Sequence, residues 1–569
     1  MSLQLILGNS GSGKSYELYK NIITASVQSP GTKFLVIVPE QFTMQTQKEL
    51  VRLHPKKGMI NIDILSFQRL AHRIFEEVGA DRRTVLEDTG KTLMLRRAAA
   101  RHRDELRVLK GNLNKKGYLA QIKSMISEFA QYDIDQEKME RMLEAGKERP
   151  QLYYKLKDLD ILYRGFQEEL AGKYITAEET LDALCQIADQ SEILKGCVIA
   201  LDGFTGFTPI QQKLLKELLV LAKEVYVTVT IDSREEFFRI YGEHELFYLS
   251  KKTIRTLSHM AEECGCEILE PQILTGKPLP RFQNSQELGF LENRIFRRRK
   301  GKVWNPSGKK EDISIHTAAN PMQESHYVGR SIRKLIREGY RYQEIAIITG
   351  DMEAYGDILP HVFQEYEIPI FMDSRRTVST NPYIELLRAV LDLARQDVMV
   401  PGIFRVLRTG MCGLIPEEVD LLENYVLAAG MKSHSRWKKP FDWIPDGFLQ
   451  EDLDRCEEMR QQIMEPLETA RTVLRSGKTT VLEKTKELYQ LGVLFGIQHQ
   501  LAEYVSMFEK EGRQDLQKEY DQVYQLVMDL FDKIVELLGK ETLPLQEYTE
   551  LLETGFEELR VGIIPPTMD

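Results

Sequence analysis

Near the start of the chain, Gly8, Asn9, Ser10, Gly11, Ser12, Gly13, Lys14 and Ser15 fit the spacing GxxxxGK(S/T). Glycines at these places let main-chain N–H groups wrap a polyphosphate, the lysine reaches its β- and γ-phosphates, and the following hydroxyl is placed to hold Mg²⁺. The chemistry expected here is binding of ATP with Mg²⁺. A second acidic group is then needed at the end of a neighbouring strand. The stretch "VIALDGF" offers Asp202, expected to share the metal with Ser15, although the same residue also reads as the cap of the turn before "TGFTP". A motor ATPase usually follows this Asp with a Glu that deprotonates the attacking water. Here the next residue is Gly203, which takes no proton.

These residues need a scaffold that brings strand ends together. The run "LQLIL" before the loop and the periodic "SYELYKNI" after it predict a strand leading into a helix, whose N-terminal amides and dipole favour an anion. "FLVIVP" (34–39), "IDILSF" (62–67), "CVIALDGF" (197–204) and "EVYVTVTI" (224–231) are further short β-branched runs with helical patterns between or after them. That alternation predicts an α/β fold with a parallel sheet and crossover helices, the RecA-like way of presenting a phosphate loop. Residues 1–80 plus 196–285 form the expected first core, and 81–195, where a 3.6-residue period takes over, a helical insertion. Residues 286–311 read as a linker rich in Gly, Pro, Ser and Lys, its basic run Arg297, Arg298, Arg299 and Lys300 as a solvated face, with contact to nucleic acid as the alternative. "ISIHTAA", "EIAIITG" and "IPIFM" suggest a second core over 312–395 plus 556–569, lacking a phosphate loop and incomplete, with 396–555 as its helical insertion. Gly350 stands where a helicase directs an arginine at the γ-phosphate, a cation worth about a thousandfold or more in rate. A nucleotide clamp that hydrolyses weakly, if at all, fits these two glycines better than a motor does.

Composition narrows the class further. At 569 residues the chain exceeds a single core, and 42% hydrophobic with 28% charged residues is ordinary for a globular protein. The net charge of −10 argues against a globally basic nucleic-acid binder but leaves room for a local basic channel. No apolar run is long enough to span a bilayer, and the N-terminus lacks the pattern of a secretory signal. Six scattered cysteines, only Cys264 and Cys266 close together, predict reduced thiols in the cytoplasm rather than a metal or disulfide framework.

The order of elements resembles superfamily 1 helicases of the UvrD type. More specifically, "GNSGSGKS", "VPEQFTMQTQKEL", "ILSFQRLAHRIFEEVG", "LDGFTGFTPIQQKLL", "EGYRYQEIAIIT", "LENYVLAAGM" and "IPPTMD" resemble, in family order, the B subunits of AddAB-type helicase–nucleases, also called RexB. The resemblance implies a heterodimer with an A-type helicase–nuclease subunit that supplies the motor and acts on DNA at double-strand ends for homologous recombination. It implies a B subunit whose helicase-like half binds the passing single strand and reads a Chi-type regulatory sequence without translocating. The nuclease and its 4Fe–4S cluster are expected only in a C-terminal half beyond these residues. By the same resemblance the strand crosses "PEQFT" and "SFQR": Gln41 and Thr43 offer groups to base edges, Phe67 a face for stacking and Arg69 a guanidinium, with Phe204 and Phe207 beside the metal-end turn. Packing in the core is the alternative for the three phenylalanines, and a solvated helix start for Arg69. At His72 some relatives carry a larger aromatic. The rival to this reading is an active stand-alone UvrD-like DNA helicase, which needs the carboxylate and arginine that Gly203 and Gly350 replace.

Overall fold

A computed structural model of the chain describes residues 1–79, 84–111, 113, 117–276, 279–295, 304, 312–372, 375–395, 400–431 and 433–562. The described residues group into two compact units, Met1–Glu87 with Ala98–Ile315, and Asp88–Arg97 with His316–Asp569. The basic run at 297–300 and the final "IPPTMD" lie outside the described residues.

The first unit is built on one parallel sheet. Strands β1 (Ser2–Gly8), β2 (Phe34–Ile37), β3 (Ile62–Leu65), β6 (Val198–Leu201), β7 (Glu224–Thr230) and β8 (Glu267–Ile268) stand in the order β3-β2-β6-β7-β1-β8, and β9 (Gln272–Leu274) also pairs with β1. Every pairing in it is parallel. Side chains alternate along each strand, so Leu3, Leu5 and Leu7 enter one core with Ile37, Ile199 and Val227, while Ile6 enters another with Val36 and Ala200. Helices α1 (Lys14–Gln28) and α2 (Thr43–Leu53) cover the second face through Leu18, Ile22 and Leu50. Helix α3 (Phe67–Val78) and the helices Ala177–Ile187, Pro209–Leu221 and Tyr248–Glu263 cover the first. A sheet buried on both faces explains why its strands read as nearly unbroken apolar runs. The α/β class with a parallel sheet is therefore observed; β8 and β9 extend it past β1, where the short "EIL" and "QIL" gave little signal.

The stretch between β3 and β6 carries the helices Tyr118–Gln131, Gln136–Gly146 and Pro150–Leu170, together with a parallel ribbon of β4 (Thr84–Leu86) and β5 (Tyr174–Thr176) that the helical period concealed. Asp158, only 1% exposed, anchors this layer. Its carboxylate accepts the N–H groups of Arg107 (3.1 Å), Val108 (2.7 Å) and Leu109 (2.9 Å), so a loop that lacks helical partners is satisfied by one side chain.

The second unit is mainly helical. Trp437, Tyr383, Tyr425 and Tyr548 are its largest buried side chains, in a core shared by the helices Pro382–Arg395, Gln450–Arg475, Gln514–Leu538 and Leu545–Glu558. The strands of this unit are the antiparallel pair β10 (Arg375–Thr377) and β11 (Arg560–Gly562), as far as the described residues go. The expected strands at 313–319, 344–350 and 368–372 do not form, and Ile315 and Ile348 are 92% and 95% exposed. Among the described residues the parallel pairings thus all belong to the first unit. A β-branched run makes a strand only where an edge is offered to it. The neighbouring helices Pro321–Arg337 and Ile358–Glu365 instead pack on each other through Ile332, Val362 and Phe363. No described helix is long and apolar enough to cross a membrane.

Replacing Asp158 with Ala takes the acceptor from three main-chain N–H groups, that of Leu109 buried, and is expected to cost about 2 kcal/mol. Hydrogen exchange should show the loss of protection centred on residues 107–109, with the parallel sheet retaining its own.

Candidate nucleotide-binding site

The phosphate loop joins β1 to α1, and its glycines are fixed by geometry. Gly11 and Gly13 have φ of +82° and +90°, a region closed to most side chains. At Gly8 an added Cβ would lie 2.4 Å from Ser12 Oγ and 3.2 Å from the Leu274 carbonyl oxygen. The Ser12 N–H closes the turn onto the Asn9 carbonyl at 3.1 Å, and Ser12 Oγ is buried with no hydrogen-bond partner. Lys14 Nζ donates to the Gly8 and Asn9 carbonyls at 3.0 and 2.9 Å. Burial brings its ammonium down to about 8; the Asp202 carboxylate opposes that fall and Arg281 adds to it. Ser10 is exposed and Ser15 half-buried in the first turn of α1.

Asp202 follows β6 and is 6% exposed. Its carboxylate is reached from β7, which pairs with β6, and from α1. Thr228 Oγ1 on β7 donates to one oxygen at 2.6 Å and Tyr19 Oη on α1 donates to the other at 2.7 Å. Tyr19 Oη also lies 3.4 Å from Thr46 Oγ1 on α2. Burial and the adjacent Asp202 hold the Tyr19 hydroxyl well above the usual tyrosine range, so it stays a donor. Motif spacing singles out neither Tyr19 nor Thr228. The signal that points to Tyr19 is a tyrosine on the apolar face of α1, whose buried hydroxyl requires a partner. Gly203, next in the chain, has φ of +79°. Among the described residues no three His, Cys, Asp or Glu side chains gather into a metal site.

A further wall comes from residues that no motif marks. The short turn Pro280–Phe282 lies against the loop: the Arg281 N–H donates to the Gly11 carbonyl at 3.3 Å, and a Cβ on Gly11 would meet Arg281 Cβ at 2.9 Å and the Phe282 ring at 3.4 Å. The helix Gln286–Arg294, expected in the linker, is tied to the same loop by Asn9 Nδ2 donating to Glu292 Oε1 at 2.7 Å. The other end of the Asn9 amide accepts from the Ser233 N–H at 3.2 Å. The Arg281 side chain is exposed beside Lys14.

The strand-end residues expected to meet DNA divide into two sets. Gln41 and Arg69 are exposed, and Arg69 pairs with Glu40 at 2.8 Å. His72 and Arg73 continue that exposed face of α3. Thr43 is 8% exposed and spends its hydroxyl on the Glu40 carbonyl at 2.9 Å. Phe67 is 6% exposed and packs against Phe204 and Phe207, with ring centroids 5.4 and 6.4 Å away. Phe204 and Phe207, 5.2 Å from each other, are half-buried. The aromatic that is presented at this edge is Phe42, 40% exposed, which lies 3.8 Å from where a Cβ on Gly203 would stand.

Arg281→Ala should raise the Lys14 titration from about 8 toward the ordinary lysine range, because a cation that disfavours the ammonium has gone. NMR of isotopically methylated lysines, assigned by comparison with Lys14→Arg, reads this directly. An unchanged midpoint would place Arg281 away from the loop.

Comparison with known proteins adds the family. The family model described as "ADDB, N-terminal" matches residues 5–292. Over its whole length the chain is 42% identical to a protein of Lachnoclostridium phytofermentans named as the B subunit of an ATP-dependent helicase/deoxyribonuclease, covering 50% of that protein. It is 32% identical to proteins of the same name from Clostridium novyi and Caldanaerobacter subterraneus, covering 49% of each. The chain spans about half the length of the curated relatives it matches. With a phosphate loop at the carboxyl end of a parallel sheet and a family match that covers half of its residues, the chain belongs to the AddB N-terminal family.

Proposed function

We propose that this chain is the helicase-like half of the B subunit in a heterodimeric ATP-dependent helicase–deoxyribonuclease that processes DNA double-strand ends for recombination. It binds ATP at Gly8–Ser15 and holds the passing single strand, reading a Chi-type sequence, while an AddA-type partner supplies the motor. Nuclease chemistry and a 4Fe–4S cluster belong to chain beyond these residues. The observation that carries the reading is a phosphate loop of complete geometry, with Lys14 poised over it, beside a Gly203 that cannot activate water. Loop amides and Lys14 then grip the triphosphate without the groups that stabilise its cleavage.

On the strand side, Gln41, Phe42 and Arg69 are the contacts: an amide for base edges, a ring for stacking, and a guanidinium that trades Glu40 for a phosphate or base. Thr43, Phe67, Phe204 and Phe207 support that edge from beneath it. The same reading takes 312–395 as the start of a second strand–helix core, since exposed Ile315 and Ile348 lie in β-branched runs that want a sheet edge.

Fluorescent ATP should bind the wild-type chain and lose at least about tenfold in affinity in Lys14→Ala, with negligible turnover in the presence of single-stranded DNA. Affinity should fall as pH rises through 8, by up to about tenfold per unit, because a neutral Lys14 must take up a proton when the phosphates bind. In the heterodimer, Phe42→Ala and Arg69→Ala should weaken recognition of the regulatory sequence. Vigorous DNA-stimulated hydrolysis by this chain alone, abolished by Lys14→Ala, would replace the reading with that of an autonomous helicase.

A further inference from the structure

At a phosphate loop of this kind a divalent cation bridges the β- and γ-phosphate oxygens and is steadied by the hydroxyl after the lysine and by a carboxylate at a strand end. The carboxylate in that position here is already committed. One oxygen of Asp202 receives Thr228 Oγ1 at 2.6 Å and the other receives Tyr19 Oη at 2.7 Å. Asp202, Tyr19 and Thr228 are 6%, 3% and 4% exposed. Tyr19 is buried, and the other oxygen near its hydroxyl is Thr46 Oγ1 at 3.4 Å. Turning Asp202 outward would therefore leave two buried hydroxyls short of their acceptor, a cost that water does not repay. Each Asp202 oxygen is thus held toward a buried hydroxyl rather than presented to a cation, which leaves the half-buried Ser15 as the hydroxyl of the set.

We infer that this chain holds its nucleotide without help from a protein-bound divalent cation: Tyr19 and Thr228 keep Asp202 as an internal acceptor, and Lys14 and Arg281 supply the positive charge. This rests on the nucleotide reading above and deepens it. The positions of the two cations support it. Lys14 sits across the loop carbonyls, and the exposed Arg281 is fixed against the same loop by its N–H donating to the Gly11 carbonyl at 3.3 Å, so the two cations flank the place a polyphosphate would take. Ser12 Oγ, buried without a partner in the turn of the loop, is a further donor within the cradle. Tyr19 is in this account a positioning residue, acting through Asp202.

The test is the affinity of the full chain for fluorescent ATP in saturating Mg²⁺ and in excess EDTA. The expected ratio for the wild type is within about threefold, whereas Tyr19→Phe, which releases one Asp202 oxygen, should bind at least about tenfold more tightly with Mg²⁺ than with EDTA. Thr228→Val, releasing the other oxygen, should move the ratio the same way. A wild-type ratio of about tenfold or more overturns the inference and leaves the nucleotide site standing. Folded Tyr19→Phe and Thr228→Val proteins that both keep the wild-type ratio overturn it too. Absence of binding in both conditions removes the nucleotide reading itself and the inference with it. The wild-type comparison needs no substitution, so a variant that fails to fold leaves the decisive measurement intact.

Discussion

A carboxylate that is 6% exposed must find its hydrogen bonds inside the protein, and Asp202 finds them on two different elements. Tyr19 brings α1 to it, Thr228 brings β7, and its own N–H donates to the Ile37 carbonyl at the end of β2. Four segments are thereby set relative to one another at the carboxyl edge of the sheet. The phosphate loop is the N-terminal continuation of one of them. A small rotation of α1 would lengthen the Tyr19 bond and move Lys14, five residues earlier on the same helix, away from the loop carbonyls. The seating of Lys14 over the loop carbonyls and the satisfaction of a buried acid are thus one geometrical requirement.

The same edge shows how a strand-end surface is supported. Three phenylalanines, Phe67, Phe204 and Phe207, interlock in the tilted and edge-on arrangements that aromatic rings prefer, and they join the turn after β6 to the start of α3. Ser66 caps α3 by accepting the Arg69 N–H, which fixes where the exposed Gln68, Arg69 and His72 begin. Packed rings below thus hold the exposed polar groups above in place.

Much of this was legible in the residue order because it is local. A phosphate loop declares itself through glycine spacing, and a sheet buried on both faces through unbroken β-branched runs. What stayed hidden depends on residues distant in sequence. Tyr19 and Asp202 are separated by 183 positions, and Arg281 reaches Gly11 only after the whole first unit has folded. Phe67 illustrates the limit: a phenylalanine after a strand in "SFQR" reads equally well as a stacking platform or a core residue, and only the arrival of Phe204 and Phe207 decides for the core. Thr43 is similar, its hydroxyl satisfied three residues back at Glu40. The runs at 313–319 and 344–350 show the converse, since strand propensity creates no sheet where no edge is offered.

The turn Pro280–Phe282 and the helix behind it form a roof over the loop, fastened by the Arg281–Gly11 main-chain bond and the Asn9–Glu292 side-chain bond. That helix, Gln286–Arg294, has nine residues and buries none of them fully. Short, lightly anchored helices fray readily. A helix that buries no residue fully adds little packing of its own, so this side of the loop is held chiefly by those two hydrogen bonds.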